Sequence, residues 1–187
     1  MLPPRPWKIS RAATLIREGG VVAYPTEAVF GLGCDPRNPE AVARLLAIKG
    51  RPARQGLILI AASFAPLRPF VKPLPGRQMK RVLRDWPGPH TWIFPAAPGV
   101  PGWLTGGHAT LAVRVTDHPI AAALCRAAKT AIVSTSANRS GRPPLRDATS
   151  VRRRLGRHLD AIITGATGGL KRPTPIRDAQ SGATLRK

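Results

Sequence analysis

The sequence predicts an α/β protein: a twisted sheet of mixed parallel and antiparallel strands, flanked by helices. Two observations support this fold class. Short apolar runs typical of strands alternate with amphipathic stretches typical of helices, and no repeat, low-complexity tract or linker divides the chain. The 187 residues suit a single domain, residues 1–187, with a core large enough to fold without disulfides. The order of strands in the sheet does not follow from these patterns.

Five stretches have the apolar spacing of helices that pack one face on a core. Ser10 can cap the first, which stops at Gly19. The second starts at Asn38, which precedes a proline in the first helical turn. The other three cover residues 79–86, 119–128 and 151–159.

Apolar runs predict strands at residues 21–24, 57–60, 91–94, 110–115, 131–133 and 160–163. The run at 57–60 lacks polar alternation, as expected of a strand that is buried on both faces. Segments around Ile176 and Leu185 complete the predicted secondary structure.

The strand at 110–115 has two chemically different faces, because side chains alternate along a strand. One face is apolar and belongs to the core. The other carries Thr110, Ala112 and Arg114, which suit a ligand surface. Arg114 could hold a carboxylate or phosphate through two parallel hydrogen bonds. The alternative is an edge strand with a solvated arginine.

Three cations follow the helix that starts at Asn38. Lys49, Arg51 and Arg54 are predicted to lie in a loop that glycine and proline partly stiffen, where they could hold a triphosphate. They could equally interact with the negative end of the helix macrodipole.

Small polar side chains follow the strand at 131–133. Ser134, Ser136 and Asn138 are placed as α/β proteins place hydrogen-bonding groups for a ligand, at the carboxyl end of a strand. The alternative is an ordinary polar turn. A further stretch, residues 24–33, joins a strand end to a glycine-containing turn.

The charge is strongly unbalanced. Thirty Lys and Arg face nine Asp and Glu, a formal net charge of +21. Such a surface attracts anions, either RNA or a phosphate-bearing substrate, although many of these side chains could simply keep the protein soluble. Aromatic residues are only 5% of the chain, so recognition of single-stranded RNA by base stacking is not expected.

Several familiar chemistries are missing. The sequence has no glycine-lysine-serine phosphate loop, no dinucleotide glycine fingerprint and no closely spaced carboxylate pair. Neither the four histidines nor Cys34 and Cys125 show metal-ligand spacing, and His118 fits a helix start better than a general base. Catalysis would therefore use positive charge and hydrogen-bond donors. With no signal peptide and no apolar run of the roughly 20 residues that span a bilayer, a cytoplasmic protein without membrane contact is expected.

Five motifs occur in order along the chain. Pro-Thr-Glu and Phe-Gly-Leu-Gly fall within residues 25–33, and Lys-Gly-Arg at 49–51 combines with Ser-Ala-Asn at 136–138. Residues 110–119 and 133–141 supply the others. Together they resemble the YrdC/TsaC family of threonylcarbamoyl-AMP synthases, from about residue 8 to the C-terminus. The chain resembles the short bacterial form most, because it stops before the extra C-terminal domain of longer relatives.

The resemblance implies a nucleotidyltransferase that joins L-threonine, bicarbonate and ATP into threonylcarbamoyl-AMP and releases pyrophosphate. Other tRNA-modification proteins would then pass the threonylcarbamoyl group to an adenosine beside the anticodon. The resemblance also implies a YrdC-like sheet with a basic concave face, and Mg²⁺ carried by the nucleotide rather than by a protein metal site.

The resemblance assigns residue roles by position. For threonine binding it implies Thr26, Arg114, Ser134 and Thr174. For ATP binding it implies Lys49, Arg54, Thr110, Ser136, Asn138 and Arg186. The catalytic set is Lys49, Arg51, Ser136 and Asn138. Two segments depart from the family pattern: Gln55 stands where longer members often have a lysine, with Arg54 as a substitute, and the residues around Thr174 differ from the usual Ser-Thr-Val-Val-Asp.

Two other functions fit the charge. The main alternative is a non-catalytic protein that binds double-stranded RNA or tRNA through the same basic face. The other is an accessory protein of the ribosome-assembly or chaperone-like kind.

Overall fold

Residues 5–186 are described from a computed structural model, and they contain one nine-stranded sheet. In chain order the strands are β1 (Val22–Pro25), β2 (Phe30–Gly33), β3 (Ile58–Ala61), β4 (Thr91–Pro95), β5 (Thr110–Val115), β6 (Ile132–Ser136), β7 (Ala161–Ile162), β8 (Ile176–Asp178) and β9 (Thr184–Arg186). Across the sheet they run β7-β1-β2-β6-β3-β5-β4-β8-β9. Pairs β1/β7, β3/β5 and β4/β8 are parallel and the others antiparallel, which confirms the predicted mixed sheet.

Six α-helices accompany the sheet in the same part of the chain. They are α1 (Pro6–Arg17), α2 (Pro39–Lys49), α3 (Gly76–Arg84), α4 (Gly102–Thr105), α5 (Pro119–Ala128) and α6 (Ala148–Leu155). Short 3-10 turns lie at Ala53–Gln55, Ala65–Phe70 and Gly156–His158. No helix between residues 5 and 186 is both long and apolar enough to span a lipid bilayer.

The predicted helix starts were right where a capping residue is followed directly by a proline. Helix α2 begins as predicted, with Asn38 Oδ1 accepting a hydrogen bond from the Ala41 backbone N–H at 2.9 Å. Helix α5 has the predicted bounds, and His118 caps it. The predicted cap at Ser10 was wrong: α1 starts at Pro6, because proline is well suited to the first helical position.

The helix predicted at 79–86 was wrong at its end. Helix α3 ends at Arg84, and Trp86 lies beyond it, buried, with its indole N–H donating to the His90 carbonyl at 2.8 Å. Leu83 is half exposed rather than turned toward the core.

Two hydrophobic clusters pack on opposite faces of the sheet. The larger places apolar side chains of α2, α3, α4 and α6 against Leu59 and Val113. The smaller packs α1 and α5 against Ile60 and Ile132. Helices α1 and α5 contact each other and strands β1, β3 and β7, so they cover only part of that second face. The rest of the face is open and forms a cavity.

Strand β2 needs its glycines because Tyr24 of β1 packs closely against it. A Cβ at Gly33 would lie 2.7 Å from the Val133 carbonyl oxygen and 2.9 Å from the Tyr24 ring. A Cβ at Gly31 would lie 3.2 Å from Thr26 and 3.5 Å from Ser134 Oγ. The Phe-Gly-Leu-Gly motif therefore alternates core side chains with positions that have no room for one.

Candidate functional site

The open part of the sheet face forms a cavity of about 330 Å³. Strands β2, β3, β4, β5, β6, β8 and β9 all contribute to its lining. Eight of the predicted site residues line it: Thr26, Arg51, Thr110, Arg114, Ser134, Ser136, Thr174 and Arg186. The topology therefore brings together residues from six distant parts of the sequence.

Arg114 is buried at the back of this cavity. Its Nη2 lies 3.3 Å from Glu27 Oε2, and its Nη1 donates a hydrogen bond to Thr174 Oγ1 at 2.8 Å. Glu27 Oε1 in turn accepts a hydrogen bond from the Thr116 hydroxyl. The edge-strand alternative was wrong, because β5 lies between β3 and β4. The guanidinium is thus held in place.

Hydroxyl groups surround the same cavity in fixed orientations. Ser134 Oγ accepts a hydrogen bond from the Tyr24 hydroxyl at 2.9 Å, and burial raises the pKa of Tyr24, which keeps it a donor. Thr26 Oγ1 donates to the Val29 carbonyl at 2.7 Å. Thr174, whose assignment rested on an atypical segment, is buried, and its carbonyl accepts a hydrogen bond from Arg186 at 2.9 Å.

The sequence predicted that Lys49 lies in a loop, and this was wrong. Lys49 is the last residue of α2 and only 3% exposed. Its Nζ lies 2.6 Å and 3.1 Å from the carbonyl oxygens of Ser136 and Asn138, 2.9 Å from Asn138 Oδ1 and 3.3 Å from Ser136 Oγ. Burial, and after it the charge of Arg51, lowers the pKa of Lys49 to about 8. The ammonium holds the Ser136 to Asn138 segment, and a nucleotide would reach it only by replacing some of these contacts.

The other two cations of that predicted cluster behave differently. Arg51 lines the cavity, and its Nη2 donates to the Gly56 carbonyl at 2.9 Å. Arg54 lies in an exposed 3-10 turn and is not part of the cavity lining. A phosphate-binding role for Arg54 stays a prediction.

Ser136 and Asn138 form a hydrogen-bonded pair rather than a loose turn. Ser136 ends β6, and its hydroxyl donates to Asn138 Oδ1 at 2.6 Å. Asn138 lies behind this contact and does not line the cavity. The predicted strand at 131–133 was therefore too short, since Ser134 and Ser136 belong to β6.

Sequence reasoning missed two residues near the site. Glu27 was visible in the Pro-Thr-Glu motif, but its pairing with Arg114 depends on the strand order. His108 lines the cavity, and its Nε2 lies 3.1 Å from the Arg54 carbonyl oxygen. Between residues 5 and 186, no group of three or more His, Cys, Asp and Glu side chains is arranged to hold a metal ion.

Three guanidiniums, from Arg51, Arg114 and Arg186, face one cavity that is also lined by several hydroxyls. The only carboxylate that pairs with any of them in the described part of the chain is Glu27, on Arg114. This arrangement can bind carboxylate and phosphate groups and stabilise negative charge that develops on them. A basic concave face beyond these side chains stays a prediction.

The fold and the cavity are those of an α/β protein whose open sheet face forms a cavity lined by arginine and hydroxyl side chains. The chain belongs to the Sua5/YciO/YrdC family, whose model, described as "Telomere recombination", matches residues 14–187.

Two curated relatives named threonylcarbamoyl-AMP synthase are similar over nearly their full length. The Halorhodospira halophila protein is 59% identical over 187 residues, which cover 99% of this chain and 98% of that protein. The Alkalilimnicola ehrlichii protein is 56% identical over 185 residues, covering 96% and 95%. Their shared name describes a nucleotidyltransferase, and this chain is an enzyme of that type.

Solved structures agree with the family. The structure of P. abyssi Sua5 complexed with L-threonine is 38% identical, with a TM-score of 0.87 over 93% of this chain. The match covers 51% of the Sua5 chain, so this protein spans about half of that length. E. coli YciO is 28% identical, with a TM-score of 0.83 over 98% of this chain and 90% of its own.

Proposed function

We propose that this protein is a threonylcarbamoyl-AMP synthase. It would condense L-threonine, bicarbonate and ATP into threonylcarbamoyl-adenylate and pyrophosphate, as a step toward N6-threonylcarbamoyladenosine in tRNA. The observation that carries the proposal is one cavity in which a fixed carboxylate-binding group, Arg114 with Thr174, lies alongside further guanidiniums and hydroxyls. The names of the curated relatives and the threonine complex of Sua5 support it.

Threonine would bind through its carboxylate. Arg114 would donate hydrogen bonds to this group, and the hydroxyls of Thr26, Ser134 and Thr174 would orient the rest of the amino acid. Because Glu27 and Thr174 already hold the guanidinium, little side-chain entropy is lost when the substrate binds. The amine would then be fixed in position relative to bicarbonate, which lowers the barrier chiefly through proximity.

The chemistry would proceed in two steps. The neutral amine adds to the carbon of bicarbonate and, with net loss of water, gives a carbamate. A carbamate oxygen then attacks the α-phosphorus of ATP, the bond from that phosphorus to the bridging oxygen breaks, and pyrophosphate leaves. Negative charge increases on the departing phosphates, so the guanidiniums of Arg51 and Arg186 would stabilise the transition state.

Other groups would assist without serving as a general base. Lys49 would hold Ser136 and Asn138 in position for the nucleotide, and Thr110 lines the same cavity. Mg²⁺ carried by the nucleotide would neutralise part of the phosphate charge. Glu27 is engaged by Arg114 and Thr116, so we propose that bicarbonate or another substrate group takes the amine proton.

The proposal is tested by pyrophosphate release from purified protein. Release should require threonine, bicarbonate and ATP together, and omission of any one should reduce it to background. Valine has the shape of threonine without its hydroxyl, and it is expected to support little release because the hydroxyls of the site would lose their partner. Release that is indifferent to threonine would exclude the synthase.

The net charge of +21 supports a second candidate, a non-catalytic binder of double-stranded RNA or tRNA. Its affinity for RNA should fall steeply with salt concentration, because counterions are released on binding. ATP should leave this affinity unchanged if the cavity has no catalytic role. Competition by ATP together with threonine-dependent pyrophosphate release would favour the enzyme.

A further inference from the structure

A second pocket, of about 220 Å³, adjoins the segment that follows β6. Residues 136–145 form a wall between the two cavities, because Ser136 and Pro144 line the first and Asn138 and Pro143 line the second. Asn138 is the only residue of the proposed site that lines this second pocket. The pocket is therefore a separate feature, next to the cavity proposed for threonine and ATP.

Three arginines line the second pocket. Arg139 and Arg142 are the two ends of a turn, called the arginine turn below. In it the Arg142 backbone N–H donates to the Arg139 carbonyl at 3.0 Å. Gly141 allows this turn because its φ is +76°. Arg154 comes from the last turn of α6. The salt bridges found between residues 5 and 186 involve none of these three arginines.

Apart from these arginines and Asn138, the lining of the second pocket is apolar. Leu145 and Leu155 are buried, and Pro143 lies beside them. No acidic residue contributes to the lining. Several guanidiniums beside an apolar floor attract a compact group with more than one negative charge, and arginine binds phosphate oxygens in pairs.

We propose that this pocket binds a phosphate group, at a site distinct from the nucleotide cavity. The phosphate could come from a small ligand such as inorganic pyrophosphate or from the backbone of an RNA strand.

One side chain connects the phosphate pocket with Lys49. Asn138 Nδ2 donates hydrogen bonds to the carbonyls of both Arg139 and Arg142, the residues that end the arginine turn. Asn138 Oδ1 accepts hydrogen bonds from Lys49 Nζ at 2.9 Å and from the Ser136 hydroxyl at 2.6 Å. A phosphate that shifts the arginine turn therefore also acts on the segment held by Lys49.

An NMR titration of the ¹⁵N-labelled full chain with inorganic pyrophosphate tests the proposal. The amides of Arg139, Arg142 and Leu155 report on the second pocket, and those of Thr110 and Ser134 report on the first cavity. We expect saturable shifts at the second-pocket amides. Arg154→Gln should weaken that binding roughly tenfold, the effect of losing a charged hydrogen-bond partner, and should leave the affinity reported by Thr110 and Ser134 unchanged.

Arg153→Gln is the matched control. Arg153 lies in the same exposed turn of α6 and carries the same charge, but it does not line the pocket. If both variants weaken binding equally, only general electrostatics is at work and the proposal is overturned.

A second titration with a short RNA duplex that has 5′-hydroxyl ends distinguishes the sources of phosphate. Saturation of the same amides by RNA identifies the backbone as a ligand, and saturation by pyrophosphate alone identifies a small-anion site. If neither ligand saturates them, the pocket does not bind phosphate.

Discussion

Arg114 and Glu27 form a buried ion pair, with side chains only 7% and 5% exposed. Removal of one member of such a pair leaves an uncompensated charge, whereas replacement of both by neutral groups is often tolerated. Arg114 therefore has two roles: it supports the fold, and it is the proposed carboxylate-binding group. A single substitution would remove both at once.

Paired substitutions separate these roles. Arg114→Met alone should lower the free energy of unfolding by about 3–5 kcal/mol, because the Glu27 carboxylate loses its partner. Arg114→Met combined with Glu27→Gln should recover most of that loss and still fail to bind threonine. Urea denaturation and calorimetric titration with threonine measure the two effects. Threonine binding by the double variant would show that Arg114 does not hold the substrate.

The pH dependence of activity should report the charge of Lys49. Its pKa is about 8, so the ammonium that holds Ser136 and Asn138 loses its proton as the pH rises through this value. A neutral amine donates fewer and weaker hydrogen bonds. We expect kcat/KM for ATP to decline above pH 8 in the pyrophosphate-release assay at saturating threonine.

Unfolding linked to the titration of Lys49 would not explain such a decline. Because the pKa of Lys49 is lower in the folded protein than its usual 10.5, the unfolded chain binds more protons between about pH 8 and 10.5. The contribution of this group to stability therefore rises with pH across that window. A profile that stays flat to pH 10 would show that the charge on Lys49 is dispensable.

Strand β2 shows how a sequence motif becomes an element of the site. It lies between β1 and β6, and its glycines allow Tyr24 to reach the hydroxyl of Ser134. Substitution of a glycine in this four-residue strand should therefore lower the free energy of unfolding measurably.

Gly33→Ala tests the packing of β2. The added methyl group would meet the Val133 backbone carbonyl, which cannot move without disturbing β6, so we expect a loss of about 1–3 kcal/mol in the free energy of unfolding. Gly102→Ala is the control, because a Cβ there has no atom within 4 Å beyond its chain neighbours and the backbone of its own helix, and its φ is not positive. Equal stability of the two variants in thermal or urea unfolding would refute the close packing of β2.

Several elements could be predicted from the sequence because local signals agree. The cap at Asn38, the bounds of α5 and the two faces of β5 all follow from spacing and turn chemistry. The start of α1 could not be predicted in this way. Ser10 and Pro6 both signal a helix start, and the helix begins at Pro6.

The strand order is the main reason why part of the site was missed. Lys49 and Ser136 are 87 residues apart, and Glu27 and Arg114 also meet only through the sheet. The motifs identified which residues belong to the candidate site. Their spacing did not show that Lys49 is buried behind Ser136 or that Glu27 already engages Arg114.

At the scale of the whole molecule, the charge should affect ATP and threonine differently. A protein of net charge +21 attracts the polyanion ATP over distances that salt screens, whereas threonine at neutral pH is a zwitterion. We expect kcat/KM for ATP to fall several-fold between about 50 and 500 mM KCl, and that for threonine to change little. Stopped assays of pyrophosphate release at constant Mg²⁺ measure both. An equal salt dependence for ATP and threonine would argue against electrostatic steering of ATP.

The cavity described above takes Thr26 from just after β1, Thr174 from just before β8 and Arg186 from β9. Contacts between residues so far apart in the chain form late, because a long loop must close before they contribute any stability. Newly made protein should therefore acquire its secondary structure before it acquires ligand binding. In a refolding experiment, recovery of the circular dichroism signal should precede recovery of threonine binding, so that the ability to recognise a substrate reports the completed fold.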